Sequence, residues 1–259
     1  MSDNLEAELL DVAIEAARAA AAELVARWRR PLEIGTKSTP TDPVTEADIN
    51  AERVIRDVLA RRRPHDSILG EEGGETGNGL LRWVVDPLDG TVNFMYGLPT
   101  FAVSVAAEDA DGALAGVVLD PASGELFTAT RSGPATCDGE VLAGSTCDAL
   151  ESALVGTGFA YEQRVRAAQA QVLARVLPAA RDIRRAGAAA LDMCACAAGR
   201  LDAYWECGVK AWDVAAGTLI CERAGLVVRG LEAQGVIPSG VLVAPAALIE
   251  QLTQLVVGP

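Results

Sequence analysis

The sequence predicts an α+β protein in which layers of helix pack against layers of sheet. Three observations carry this expectation. The first sixty or so residues have the spacing of two amphipathic helices. From Ser67 to about residue 130 the chain breaks into short apolar or alternating runs between turn residues. The remainder alternates helix-like and strand-like segments. Helices, then strands, then alternation is an order that buries apolar faces best as stacked layers.

Residues 4–29 form the first predicted helix, with Leu5, Leu9, Val12, Ala16, Ala19 and Leu24 near helical spacing and Pro31 as a stop. Residues 31–44, with three prolines and a glycine, read as loop. Thr45 to Asp48 ("TEAD") is a capping box that opens a second helix carrying Ile49, Val54, Ile55, Val58 and Leu59 and ending before Pro64. "SILG", "RWVVD", "FAVSVAAED", "GALAGVVLD" and "GELFTATRSG" are strand signals, and "DGALAG" and "PASGE" supply the turns between neighbours. "ALVGTGFA" reads as a strand, 163–179 as a helix, "DIRRAGAAALDMCACAAG" as a short strand entering a helix, and "LDAYWE" as a strand. "AWDVAAGTLICERAG" is a helix ended by Gly225, "LVVRG" and "GVLVAP" are strands, and "AALIEQLTQLV" closes the chain as a helix. No repeat, low-complexity tract or Gly/Ser/Pro-rich linker interrupts it. Residues 1–259 are therefore expected to be a single unit, with 1–147 and 148–259 as its only candidate sub-halves.

At 259 residues and 50% hydrophobic content the chain can bury a sizeable core. Its net charge of −14, with His65 the single histidine, opposes non-specific nucleic-acid binding and adsorption to anionic lipid. The stretch "AARAAAAELVARW" is broken by Arg18, Glu23 and Arg27, so no membrane span is expected, and the acidic start lacks the positive region of a secretory leader. Six cysteines at 137, 147, 194, 196, 207 and 221 show no CxxC spacing. Free thiols in a reducing cytoplasm are the expectation.

The chemistry concentrates in "WVVDPLDGTVNF", residues 83–94. Asp86 ends an apolar strand, Pro87 fixes a backbone angle and Gly90 permits an unusual one. Asp86, Asp89, the Leu88 carbonyl and the Thr91 hydroxyl can then face one side, an all-oxygen set suited to Mg²⁺. Ordinary turn chemistry also accounts for Pro-x-Asp-Gly. Glu71 and Glu72 follow another short strand, either as a solvated acidic loop or as metal-bridging or water-orienting carboxylates at a strand's end. Asp213 is a helix N-cap or a further ligand, and Asp48 is the N3 partner of a capping box or part of the same acidic cluster. Taken together these acids are harder to dismiss, because each like-charge pair at about 4 Å costs on the order of 4 kcal/mol at an effective dielectric near 20 unless a cation intervenes.

"GEE", then "WVVDPLDGTVNF", then "AWDVAAG", in that order, resemble the inositol monophosphatase family, within a wider group of Mg²⁺-dependent, Li⁺-sensitive phosphatases. "KSTPTDPVTEAD", "GTGF", "IRRAGAAALD" and "YWECGVKAWD" extend the likeness over nearly the whole chain. The resemblance implies a layered α-β-α-β-α sandwich of the inositol monophosphatase and fructose-1,6-bisphosphatase type, usually a homodimer, and hydrolysis of a small polyol phosphate by metal-activated water. It implies a first Mg²⁺ on Glu71, Asp86, the Leu88 carbonyl and Thr91, a second on Asp86, Asp89 and Asp213, and a weaker third reached by Glu71 and Asp48 through water. Phosphate would rest on Gly90 and Thr91, and Ala189 and Glu206 would face the alcohol. Lys37 would lie in a loop over the site, and Glu71 and Thr91 would orient the attacking water. The chain departs from the family pattern at Thr100, where histidine is frequent, and at Leu226 and Gly230, where glycine and aspartate are common. The substrate side is where these departures bear. Inositol monophosphate leads the candidate substrates, with histidinol phosphate, fructose 1,6-bisphosphate and 3′-phosphoadenosine nucleotides as rivals. A non-catalytic phosphometabolite-binding protein and a metal-free carboxylate-pair glycosidase are the readings from other classes.

Overall fold

The computed structural model describes residues 2–30, 34–36 and 43–258. In chain order the elements are α1 (Ser2–Arg27), β1 (Ile34–Thr36), β2 (Pro43–Thr45), α2 (Glu46–Arg62), β3 (Ser67–Gly70), β4 (Gly74–Thr76), β5 (Arg82–Asp89), α3 (Thr91–Met95), β6 (Ala102–Asp109), β7 (Gly112–Leu119), β8 (Leu126–Thr130), β9 (Thr136–Cys137) and β10 (Glu140–Val141). There follow β11 (Leu154–Thr157), α4 (Gln163–Val176), β12 (Asp182–Arg184), α5 (Ala189–Ala197), β13 (Ala203–Cys207), α6 (Ala211–Arg223), β14 (Val227–Leu231), β15 (Gly240–Ala244) and α7 (Ile249–Val257).

Two sheets hold the molecule. An eight-stranded sheet runs β10-β9-β8-β7-β6-β5-β3-β4 and a five-stranded sheet runs β12-β11-β13-β15-β14. Period-two alternation assigns the faces. On the large sheet Trp83, Val85, Val105 and Val117 join a core with α1 and α2, whereas Ala106, Val118 and Phe127 join a second core with α5 and α6. On the small sheet Tyr204 and Val243 meet that second core, and Ala203, Trp205 and Leu242 form a third with α4 and α7. The result is the layered α-β-α-β-α order that the sequence resemblance implied. Small residues set the spacing. Ala13, Ala16, Ala17 and Ala20 let α1 lie close on the sheet, and a Cβ on Gly116 would come 3.1 Å from the Ala216 Cα of α6. Among the described residues no helix is long and apolar enough to cross a membrane.

Part of the segment read as loop is paired. Ile34–Thr36 forms a short antiparallel ladder with Pro43–Thr45, and Pro43, which lacks an N–H, sits at its end, where proline is tolerated. Lys37 lies outside the described residues. The capping box is present as expected, with Thr45 N–H donating to Asp48 Oδ2 at 2.8 Å.

The large sheet also places the acidic residues. β3 and β5 are parallel neighbours with Gly70 opposite Val85, so Glu71 and Asp86 leave the sheet side by side. Against β6, Asp86 faces Ser104 and Asp89 faces Ala102. Three steps on β5 therefore span two on β6, a bulge that absorbs Pro87 between the two aspartates.

Candidate active site

A cavity of about 610 Å³ opens between the two sheets. Glu71, Asp86, Leu88, Asp89, Gly90 and Thr91 line it from the large sheet, Ala189, Glu206 and Asp213 from the second half of the chain. Each position has a local cause. Asp86 Oδ1 accepts the Leu88 N–H at 3.0 Å, which tightens the bulge. Gly90 has φ +90°, and a Cβ there would lie 2.9 Å from the Thr100 carbonyl oxygen, so only glycine fits the turn. Asp89 Oδ2 accepts the Ala190 N–H at 2.7 Å, joining the bulge to the start of α5. The Asn93 side-chain amide donates to the carbonyls of Thr100 (2.7 Å) and Ala186 (2.9 Å), fixing the approach to that helix. Asp213 is the third residue of α6 rather than its N-cap: its Oδ2 accepts the N–H of Lys210 at 2.6 Å, and Lys210 holds the cap position.

Asp48 stands one side chain behind the cavity wall. It is buried, and its Oδ1 accepts from Thr91 Oγ1 at 2.9 Å while its Oδ2 accepts from Thr45 Oγ1 at 2.6 Å. Thr91 Oγ1 also lies 3.1 Å from the Leu88 carbonyl oxygen. The structure thus brings all the sequence-derived site residues among the described ones to one place, with Asp48 reaching it through Thr91.

Among the described residues six carboxylates line the cavity (Glu71, Asp86, Asp89, Glu162, Glu206 and Asp213) against two basic groups, Arg185 and Lys210. Burial pushes the Asp86 carboxyl well above its ordinary range, reinforced by the charges of Glu71, Asp89 and Asp213. Burial and then Asp213 raise Asp89 in the same way. Burial raises Asp213 to about 6, opposed by the Lys210 N–H. Negative charge is under-compensated here, and the available donors are hard oxygens. Among the described residues no three His, Cys, Asp or Glu side chains close into a ready-made ion cage. Mg²⁺ does not require one, since it keeps several waters as ligands and takes further oxygens from a substrate phosphate. The donor set fits that ion.

Several residues that shape the site carried no isolated signal in the sequence. Tyr204 Oη donates to Glu206 Oε2 at 2.7 Å and fixes that carboxylate. A Cβ on Gly158 would run into the Glu206 carboxylate, which explains the second glycine of "GTGF". Asp192 is buried in α5, where burial and then Glu206 push its carboxyl up to about 8, and its Oδ2 has no hydrogen-bond partner.

Two sheets enclosing an acidic cleft at strand ends define the structural class. Residues 5–257 match the profile of the inositol monophosphatase family, and the chain belongs to that family. It is 49% identical over 224 residues to the inositol-1-monophosphatase of Mycobacterium leprae, covering 83% of this chain and 77% of that one. It is 40% identical over 247 residues to a Pasteurella multocida protein named Nus factor SuhB, covering 93% and 92%. Among solved structures, the extragenic suppressor protein suhB of Bartonella henselae superposes with a TM-score of 0.88 at 33% identity, covering 95% of this chain and 97% of that one.

Proposed function

We propose that this chain is a Mg²⁺-dependent phosphomonoesterase that hydrolyses a small polyol phosphate, with myo-inositol monophosphate the leading substrate. It is a phosphoric monoester hydrolase, as its family and the M. leprae relative's name support. One observation carries the metal dependence. Among the described residues the cavity sets six carboxylates against two basic groups, and a phosphate dianion settles there only with cations between them. Glu71, Asp86, the Leu88 carbonyl and Thr91 would hold one ion, and Asp86, Asp89 and Asp213 a second. A third would reach Glu71 and Asp48 only through water. When bound, such ions supply neutralisation of the phosphate oxygens and acidification of a water molecule.

The chain's own groups do the rest. Thr91 Oγ1 can give its proton to Asp48, which leaves its lone pairs facing the cleft as acceptors for a water proton. Glu71, beside Asp86 at the cavity wall, would accept the other proton of that water. Gly90 keeps backbone rather than side chain at the wall, where the phosphate would rest. On the alcohol side, Glu206 is fixed by Tyr204 and accepts from substrate hydroxyls, with Ala189 leaving space. Glu206 suits a neutral hydroxyl-rich alcohol or a cationic one, so histidinol phosphate stands as the rival substrate that the phosphate-release panel must separate from the polyol.

The working unit is the whole chain, because the cavity takes residues from both sheets. A homodimer, millimolar Li⁺ inhibition and a cytoplasmic setting belong to the same proposal, the last supported by six free thiols. The test is phosphate release from inositol monophosphates, histidinol phosphate, fructose 1,6-bisphosphate and phosphoadenosine nucleotides, with and without chelator. Release from the polyol phosphate, abolished by chelator and restored by Mg²⁺, is expected. Chelator-resistant turnover would point to metal-free carboxylate chemistry, and ligand binding without release to a phosphometabolite-binding protein.

A further inference from the structure

We propose that Glu52, on α2, is a positioning residue that holds Glu71 ready for cation binding; this rests on the Mg²⁺-dependent reading above. Glu52 is 2% exposed and does not line the cavity. Its carboxylate lies under the turn that follows β3. Oε2 accepts the N–H of Glu72 at 2.7 Å, and Oε1 accepts the N–H of Gly73 at 2.8 Å and Arg56 Nε–H at 2.7 Å. On the other side of Glu71, its own N–H donates to the Val85 carbonyl at 3.3 Å. Both peptide planes that meet at the Glu71 Cα are therefore pinned, one by β5 and one by Glu52. With two backbone angles set, the side chain leaves the sheet in one direction, beside Asp86.

The glycines of "GEEGG" belong to the same device. A Cβ on Gly70 or on Gly73 would lie 2.6 Å from the Glu52 carboxylate, so both positions are bare to let it approach. Asp48, Glu52 and Arg56 follow one another at four-residue spacing along one face of α2. Asp48 meets Thr91, Glu52 meets the turn, and Arg56 continues to the Gly74 carbonyl (2.7 Å) and Thr76 Oγ1 (2.9 Å). One helix face thus orients both the threonine and the glutamate of the site. A carboxylate is required at 52 because all three partners are donors. A glutamine amide would set its NH₂ against at least one of them.

The experiment is calorimetric titration of Mg²⁺ into chelator-stripped wild type, Glu52→Gln, Gly73→Ala and the double variant. Melting curves without Mg²⁺, and kcat with its Mg²⁺ half-saturation, complete the set. Each single variant is expected to bind Mg²⁺ roughly 10–100-fold more weakly, the range for groups that orient metal ligands. The double variant should lose little more than either single one, since both break one contact. At saturating Mg²⁺, kcat should return to within about threefold of wild type. A purely structural residue would lower the melting temperature and leave Mg²⁺ affinity unchanged, and that result overturns the proposal. If Glu52→Gln does not fold, Gly73→Ala carries the test, because it displaces the carboxylate without removing it. A wild type that binds no Mg²⁺ would overturn the parent reading as well, whereas equal binding by wild type and variants would overturn the Glu52 role alone.

Discussion

The carboxylate of Asp89 accepts a 2.7 Å hydrogen bond from the backbone N–H of Ala190, tying the bulge of β5 to the first turn of α5. This contact lets the consequences of charge and of shape be separated. Asn at position 89 keeps one oxygen for the Ala190 N–H while removing the charge and one acceptor oxygen. Asp89→Asn should fold, melt close to wild type, and lose turnover by roughly 100-fold or more, the scale of removing one electrostatic partner from a transition state. Phosphate release at saturating Mg²⁺, alongside a melting curve, checks it. Near-normal turnover would remove Asp89 from the chemistry.

The crowded carboxylates give a pH dependence of definite sign. Burial lifts Asp213 to about 6, against about 3.9 in an unfolded chain, and Asp86 and Asp89 shift the same way. A raised folded value means that the folded state holds the proton more tightly. The stability this contributes is present at low pH and is lost as pH rises through about 6. Metal-free protein should melt lower at about pH 7.5 than at about pH 5, and Mg²⁺ should raise the melting temperature more at the higher pH. For a chain of this size each kcal/mol of ligand stabilisation moves the midpoint by about 2–4 °C. An equal Mg²⁺ effect at both pH values would contradict this account.

Gly158→Ala tests the substrate side alone. The added methyl would collide with the Glu206 carboxylate, which must swing away from the cavity. KM should rise roughly tenfold or more, as expected for losing a hydrogen bond to a charged group, while Mg²⁺ half-saturation stays put. A shift in Mg²⁺ dependence with unchanged KM would place Glu206 elsewhere in the reaction.

Tyr204→Phe removes the donor to Glu206 Oε2, and that bond holds the Glu206 carboxyl down against the upward push of burial. Without it the carboxyl rises further, so the acid limb of kcat/KM should move to higher pH. Stability should fall by about 1–3 kcal/mol for the buried oxygen left unpaired. A pH profile over the acid range, measured with both proteins, decides this.

Most of the fold was legible because its elements repeat with clean periods. β6 and β13 alternate between two cores, and α2 begins with a capping box that the letters spell out. "DPLDGT" was legible for a related reason: proline, glycine and two aspartates in six residues constrain backbone and charge together. The β1–β2 pair was not legible, since prolines around it read as loop. Asp213 left two readings open, N-cap or ligand, and the cap reading fails because an acidic residue at a helix start looks alike at the cap and two or three positions later. Glu52 was invisible for a deeper reason. Its partners are backbone N–H groups twenty and twenty-one positions away, which have no letter of their own.

The claim on which the rest depends is that Asp86 and Asp213 serve a shared set of divalent ions. Calorimetric titration of Mg²⁺ into chelator-stripped wild type, Asp86→Asn and Asp213→Asn tests it most directly. Saturable binding by wild type, weakened by roughly tenfold or more in each variant, is the predicted result. Folded variants that bind Mg²⁺ as wild type does would contradict it.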